Sequence, residues 1–206
     1  MYVPAAFALS DAETASALGA GGFSQLITRS DDEYLVTPLP LLYRAQTHSL
    51  VGHVSRANPH WKHSQRASVA VIAGPQAYIS PSLYATKAET GKVVPTWNYD
   101  VLVVHGRLVV HDDAQWVREL VGQLTEHHEA ARTTPWAVDD APADFVTAQL
   151  RAIVGVELII ERVEGKAKMS QNQPQRNQAG VVDGLRRSDG PQDRQVADQV
   201  EARNRL

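Results

Sequence analysis

The stretch Leu50-Val-Gly-His-Val-Ser-Arg-Ala-Asn-Pro-His-Trp61 constrains the fold most, because a strand-like alternation runs straight into a helix start. In extended chain Val51, His53 and Ser55 share one face while Leu50 and Val54 share the other, since side chains alternate with period two. Asn58-Pro59 then ends the strand. Asn is a favoured N-cap and Pro suits the first helical position, so a short helix is expected from Pro59 to about Gln65. Ser55, Arg56 and Asn58 stand just before its free N–H donors, a combination that suits a phosphate.

The rest of the chain alternates short strands with few helices. Ser10-Asp-Ala-Glu13 reads as a capping box opening a short helix that Gly19, Gly21 and Gly22 end. Phe23–Thr28 and Glu33–Arg44 read as strands, the second placed at an edge or bulge because Pro38 and Pro40 cannot donate to a ladder. Ala67–Ala73 is an apolar run typical of a buried strand, and Thr96–His111 a long extended segment with a bulge or bend expected at Gly106. Asp112 or Asp113 caps a helix in which Trp116, Val117, Leu120, Val121 and Leu124 keep a 3.6-residue period. A second helix from about Ala143 to Arg151 should turn Phe145, Val146 and Leu150 inward, and Ile153–Val163 is the last strand. Strands without strict βαβ alternation point to an antiparallel, barrel-like sheet, a mainly β (α+β) fold with peripheral helices.

Composition bounds the function classes. The 206 residues suffice for one substantial core, taken here as a domain over residues 1–172 followed by a polar, partly disordered tail over 173–206. With no cysteine, disulfides, thiolate zinc sites and cysteine nucleophiles are excluded. No apolar run approaches the roughly 18 residues of a membrane span and the N-terminus lacks signal-peptide order, so a cytoplasmic address is expected. The formal charge of −3 is uneven, with residues 165–206 at about +3, a mild bias that leaves nucleic-acid binding open but favours a solvated tail.

Motif by motif, the familiar nucleotide folds fail. The chain has neither G-x-G-x-x-G nor G-x-x-x-x-G-K-[ST], and neither Ser80 nor Ser82 lies in a nucleophile elbow. His60 and His63 are three apart but no carboxylate stands near them in sequence, so no metal is expected. In Thr96-Trp-Asn-Tyr99 the flat Trp97 beside hydrogen-bonding neighbours could hold a planar ring, or belong to the core. Lys166 and Lys168 could neutralise a phosphate or be solvated.

Read together, Met1-Tyr-Val-Pro4, Pro38-Leu-Pro-Leu-Leu42, Leu50–Pro59, Gly74-Pro-Gln-Ala-Tyr-Ile-Ser-Pro81, Val94-Pro-Thr-Trp-Asn-Tyr99, Gly106, Val154-Gly155 and Glu164–Asn172 resemble the PaiB-type family, the FMN-binding negative transcriptional regulators of bacteria. The resemblance implies a six-stranded antiparallel FMN-binding split barrel, a homodimer with FMN at the subunit interface, and a regulator or flavin sensor that binds DNA. Carried over by position, His53, Ser55, Arg56 and Asn58 are expected around the FMN phosphate and ribityl chain, and Thr96, Trp97 and Asn98 near the ring. Tyr78, Ser80, Lys166, Ser170, Gln171 and Asn172 match further family motifs. No helix-turn-helix or strongly basic recognition helix is visible. The alternative is a flavin-dependent oxidoreductase of the split-barrel superfamily, in which the cofactor carries the chemistry.

Overall fold

A computed structural model describes residues 1–205. Its strands are β1 (Gly22–Arg29), β2 (Tyr34–Arg44), β3 (Ser49–Ser55), β4 (Ala67–Ile79), β5 (Thr96–His111) and β6 (Ile153–Lys168), closed into a barrel in the order β1-β2-β3-β6-β5-β4. The α-helices are α1 (Asp11–Ala20), α2 (Thr86–Thr90), α3 (Ala114–Glu129), α4 (Ala143–Arg151), α5 (Gln175–Arg186) and α6 (Asp193–Asn204). Two compact units divide the chain: a central unit of Ala15–Ile72 and Val103–Val163, and a terminal unit of Met1–Thr14, Ala73–Leu102 and Glu164–Leu206. None of the described helices is long and apolar enough to cross a membrane.

In the central unit, β1 and β2 form an antiparallel hairpin with Gln25 opposite Pro38 and Phe23 opposite Pro40. β3 pairs with β2 only at Leu42, Tyr43 and Arg44. The prolines therefore occupy the part of β2 with β1 on one side and no β3 partner on the other, where a missing donor is tolerated. At Gly106 a side chain would run into the carbonyl oxygen of Ile159, so glycine serves close approach of two backbones and the 16-residue β5 continues through it. Asp113 caps α3, its Oδ1 accepting from Trp116 N–H at 2.7 Å, and the stripe Val117, Leu120, Leu124 is buried, with Leu120 and Leu124 packed on Val51. α4 buries Val146, but Phe145, expected to face inward, is exposed.

His60 is the polar centre of this unit. It is fully buried, its Nδ1 2.8 Å from Thr37 Oγ1 and its Nε2 2.7 Å from Thr28 Oγ1, and Thr28 Oγ1 is 2.6 Å from Ser68 Oγ. Both ring nitrogens are thereby engaged, which removes His60 from any metal reading. The helix expected here is a 3-10 helix of five residues, Pro59–His63; its length is limited because Gln65 takes a left-handed conformation and its N–H bonds to Leu108.

In the terminal unit the Ser10/Glu13 box forms, Ser10 N–H reaching Glu13 Oε2 at 2.8 Å and Glu13 N–H reaching Ser10 Oγ at 3.3 Å. The larger correction concerns residues 173–206. Where a polar, partly disordered tail was expected, α5 and α6 form a packed pair. Val181, Val182 and Leu185 of α5 and Val196, Ala197 and Val200 of α6 are buried together with Ala77, Ile79, Tyr84, Ala167 and Met169. Each helix carries one narrow apolar stripe at helical spacing in a polar composition, enough to close a core that mean composition conceals.

Burial, with nearby His63, lowers the pKa of His60 to about 4 from an ordinary 6.5. A depressed imidazole stabilises the fold fully above about pH 6.5 and loses that contribution as pH falls through about 4, on the order of 3 kcal/mol for such a shift. Urea unfolding at pH 7.5 and pH 4.5 should show this loss, and His60→Gln, which cannot titrate, should remove that part of the pH dependence.

Candidate functional site

Two sets of expected residues fall in different units. In the central unit, β3 ends in a turn whose polar groups are taken up locally. Asn58 Oδ1 accepts from His60 N–H at 2.9 Å and its Nδ2 donates to Thr37 Oγ1 at 3.1 Å. Ser55 Oγ accepts from Ala57 N–H at 3.3 Å. Arg56 meets both carboxylate oxygens of Asp112, at 2.9 and 2.6 Å, and its Nε donates to the Arg151 carbonyl at 2.8 Å. The hydrogen bonds and charge of Asp112 raise the Arg56 pKa, while Arg56 lowers that of Asp112. This bidentate pair neutralises the guanidinium and occupies its fork. A five-residue 3-10 helix whose first donor is already capped offers no anion site of its own. His53 lies apart from these polar groups, half-buried, its pKa lowered by burial.

The terminal unit presents a different environment. Trp97 and Tyr78 stand edge to face with ring centroids 6.1 Å apart, and both are about half exposed, at 52% and 51%. Next to Trp97 on β5, on the alternate face, is Asn98, fully buried, whose Nδ2 donates to Ser170 Oγ at 2.9 Å and whose Oδ1 has no hydrogen-bond partner among the described residues. Lys168 Nζ donates to Thr96 Oγ1 and, at 2.8 Å, to the Trp97 carbonyl. Burial lowers the Lys168 pKa; the charge of Tyr99 opposes this and that of Lys166 reinforces it. Lys166 itself reaches the Tyr2 carbonyl at 3.3 Å and lies 5.2 Å from the centre of the Tyr99 ring. Two ammonium groups two residues apart on one strand face, one of them desolvated, gather positive charge that an anion would relieve.

The remaining expected residues shape this cluster's backbone. Ser170 is buried in a left-handed conformation, and Gln171 closes the turn by accepting from Met169 N–H at 2.6 Å and donating to the Ala167 carbonyl at 2.7 Å. Ser80 caps a 3-10 turn by accepting from Ser82 N–H at 3.2 Å, and Asn172 is exposed. Within the terminal unit the structure thus pairs Tyr78 with Trp97, Asn98 with Ser170, and Lys168 with Thr96 and the Trp97 carbonyl, all along one stretch of β5. A flat exposed aromatic pair, a buried acceptor awaiting a donor and a concentrated cationic charge fit a ligand with a planar heterocycle and an anionic group. The orphaned Asn98 Oδ1 is the sharpest sign, since an unpaired buried acceptor costs about 1–3 kcal/mol and an N–H or O–H of a ligand would satisfy it.

Sequence reasoning did not connect Ser49, His111 and Glu157 in the central unit. Ser49 donates to Glu157 Oε1 at 2.6 Å and His111 Nε2 lies 2.7 Å from Glu157 Oε2. Burial pushes the Glu157 carboxyl up, but Ser49 and His111 outweigh it and hold the pKa below its ordinary value. Because Ser49 bonds to the carboxylate and not to the imidazole, the trio lacks the serine-to-imidazole link of a hydrolase. His111 instead stacks on Trp116 at 3.9 Å, with Arg44 4.8 Å from the Trp116 ring centre. No sequence spacing signals this column, whose members come from five separate elements.

Comparison with known proteins identifies the family of the chain. A family described as "Putative FMN-binding domain" matches residues 1–162. The chain is 27% identical over 206 residues to the Protease synthase and sporulation protein PAI 2 of Bacillus subtilis, covering 98% of this chain and 97% of that protein. It is 31% identical to an uncharacterized protein of Aspergillus fumigatus over 66% of each. Among solved structures, the conserved hypothetical protein Rv2991 of Mycobacterium tuberculosis superposes with a TM-score of 0.58 at 11% identity, over 84% of this chain and 94% of that one. The FAD and heme binding protein of Mycobacterium smegmatis gives 0.56 at 15% identity, over 77% and 71%. At these identities the two structures establish the shared split-barrel fold.

Asn58→Ala removes the cap of the Pro59 turn and a partner of Thr37, and should destabilise the fold by about 1–2 kcal/mol in urea unfolding.

Proposed function

Because the chain belongs to the FMN-binding domain family, its cofactor is FMN, and we propose that it acts as a homodimeric FMN-binding regulator whose flavin is held by the terminal-unit cluster. The buried, unpartnered Oδ1 of Asn98 carries this reading, as the acceptor for a flavin N–H or ribityl O–H. Trp97 and Tyr78 supply apolar faces for the ring system, and Lys168, with Lys166 beside it, supplies the charge that a phosphate requires. Thr96 and the Trp97 carbonyl fix the Lys168 ammonium, while Ser170 orients the Asn98 amide. When bound, FMN supplies a redox-active ring. On this reading Ser55, Arg56 and Asn58 brace the end of β3, with Arg56 committed to Asp112.

A regulatory role follows the name of the Bacillus subtilis relative, which ties that protein to protease synthesis and sporulation. DNA as the regulated partner rests on family resemblance. Of the cations near the chain's end, Arg176 pairs with Glu89, Arg186 with Asp198 and Glu201, and Arg203 with Glu13, so the local excess of positive charge is partly neutralised. Binding that weakens steeply with salt in fluorescence anisotropy would establish the DNA partner.

The homodimer is supported by the outer face of β1, β2 and β4 in the central unit. Phe23 and Val36 are exposed, Ile27 sits opposite Val36 on one side and Val69 on the other, and Gln25 sits opposite Pro38 and Val71. Contiguous apolar side chains across three adjacent strands mark an interaction surface. Val36→Lys should shift the sedimenting species from dimer to monomer while circular dichroism stays unchanged.

Titration of the apo protein with FMN and riboflavin tests the cofactor site. Lys168→Ala should weaken FMN by about 10- to 100-fold with little effect on riboflavin, the scale of one charge-assisted hydrogen bond. Arg56→Ala should leave FMN affinity within about twofold. The opposite pattern would transfer the phosphate to Arg56.

A further inference from the structure

The central unit contains a second place built for a small molecule, at His53. Two clefts of about 310 and 240 Å³ share His53, Val121 and Trp136 as lining residues. The smaller is walled by Val146, Leu150 and Ile153, with Phe145 and Gln149 completing it. Trp136 and Phe145 remain 48% and 55% exposed there, and Phe145 lies on a helix whose pattern calls for it to be inside. A single exposed aromatic is unremarkable, but two lining one cleft leave apolar surface in water at a common place.

In the smaller cleft His53 and the Gln149 amide are the polar lining groups among eight apolar residues, whereas the larger adds Thr125, His128 and Glu129. His53 is half-buried and its side chain makes no hydrogen bond to any described residue, in contrast to His60 and His111, whose rings are tied by hydroxyl and carboxylate partners. Burial keeps its imidazole neutral near pH 7, so it offers one N–H and one lone pair. A mostly apolar cleft with few polar groups is the usual make-up of a ligand pocket, and the smaller cleft, below the roughly 300 Å³ of drug-sized sites, restricts the occupant to one or two rings.

From this arrangement we infer that His53, Trp136 and Phe145 form a binding site for a small uncharged aromatic molecule bearing one hydroxyl group, its ring against the aromatics and its hydroxyl on the His53 imidazole. The site lies within the central unit, and none of its lining residues is among the proposed flavin residues. A phenol donates its O–H to the lone pair of the unprotonated imidazole nitrogen. A carboxylate would enter the smaller cleft, which no Lys or Arg lines, without a cation to pair it, against the desolvation cost of burying a charge.

The test uses the full chain and 4-methylphenol as the probe, followed by quenching of tryptophan fluorescence and by the imidazole resonances of His53, with toluene as the isosteric control lacking the hydroxyl. Saturable binding of 4-methylphenol should shift the His53 resonances, and toluene should bind about tenfold more weakly, the scale of one hydrogen bond. His53→Leu, which keeps the cleft apolar, should bring 4-methylphenol down to the affinity of toluene. The same titration on FMN-saturated protein should give the same affinity. No saturable binding, equal binding of the two probes to the native chain, or displacement of FMN by 4-methylphenol would each overturn the assignment, the last by making His53 part of the flavin site. Because toluene and 4-methylphenol are compared on the native chain, failure of the variant to fold does not leave the result open.

Discussion

A fully buried imidazole must find both its hydrogen bonds inside the protein, and much of the central unit is arranged so that His60 does. Thr28 from β1 takes one ring nitrogen and Thr37 from β2 the other, while Ser68 from β4 completes the chain of hydroxyls and Asn58 holds the turn that delivers the ring. Four segments far apart in sequence are thereby fixed in register by a few polar atoms. Apolar packing would tolerate small slips between these strands, whereas a hydrogen-bond network tolerates none without leaving a donor or acceptor unpaired. The same requirement explains why the Asn58-Pro59 junction, so suggestive of an anion site, is used to build the barrel.

The terminal unit applies the opposite logic at Asn98. There a buried amide is given one partner, Ser170, and left with an acceptor unmet, beside a lysine that burial makes costly to charge. Among the described residues only the Asn98 and Gln199 side chains leave a buried acceptor unmet, so each is an exception to an otherwise satisfied interior. The unusual left-handed backbone of Ser170 belongs to this arrangement, since it carries the hydroxyl to the Asn98 amide.

Much of the barrel was legible because its signals are local. Strand alternation, the Asp113 cap, the Ser10/Glu13 box and the prolines of β2 each act within a few residues, and the structure has them where the pattern places them. The motif text led to the family in the same way. What could not be read depends on tertiary partners. Nothing near Arg56 announces that Asp112, 56 positions on, will take its guanidinium, and nothing near Lys168 announces Thr96. Phe145 fits an inward helical position but is left at the surface by the packing of α4. The α5 and α6 stripes were hidden for a different reason: three apolar residues in a twelve-residue polar helix fall below what composition can reveal, although they suffice when two such helices pack face to face.

The family match stops at residue 162, yet β6 runs on to Lys168 and the core of the terminal unit is assembled mostly from residues beyond that point. Ala77, Ile79 and Tyr84 are covered by Ala167, Met169 and the α5–α6 pair, while Gly180 and Gly184 lie so close to Leu83 that a side chain at either would collide with it. The last two helices are therefore not an appendage that descent could add, drop or exchange freely. Without them the interior of the terminal unit would lie open to water, so the segment with the least sequence signature is as necessary to the fold as the segment that has the most.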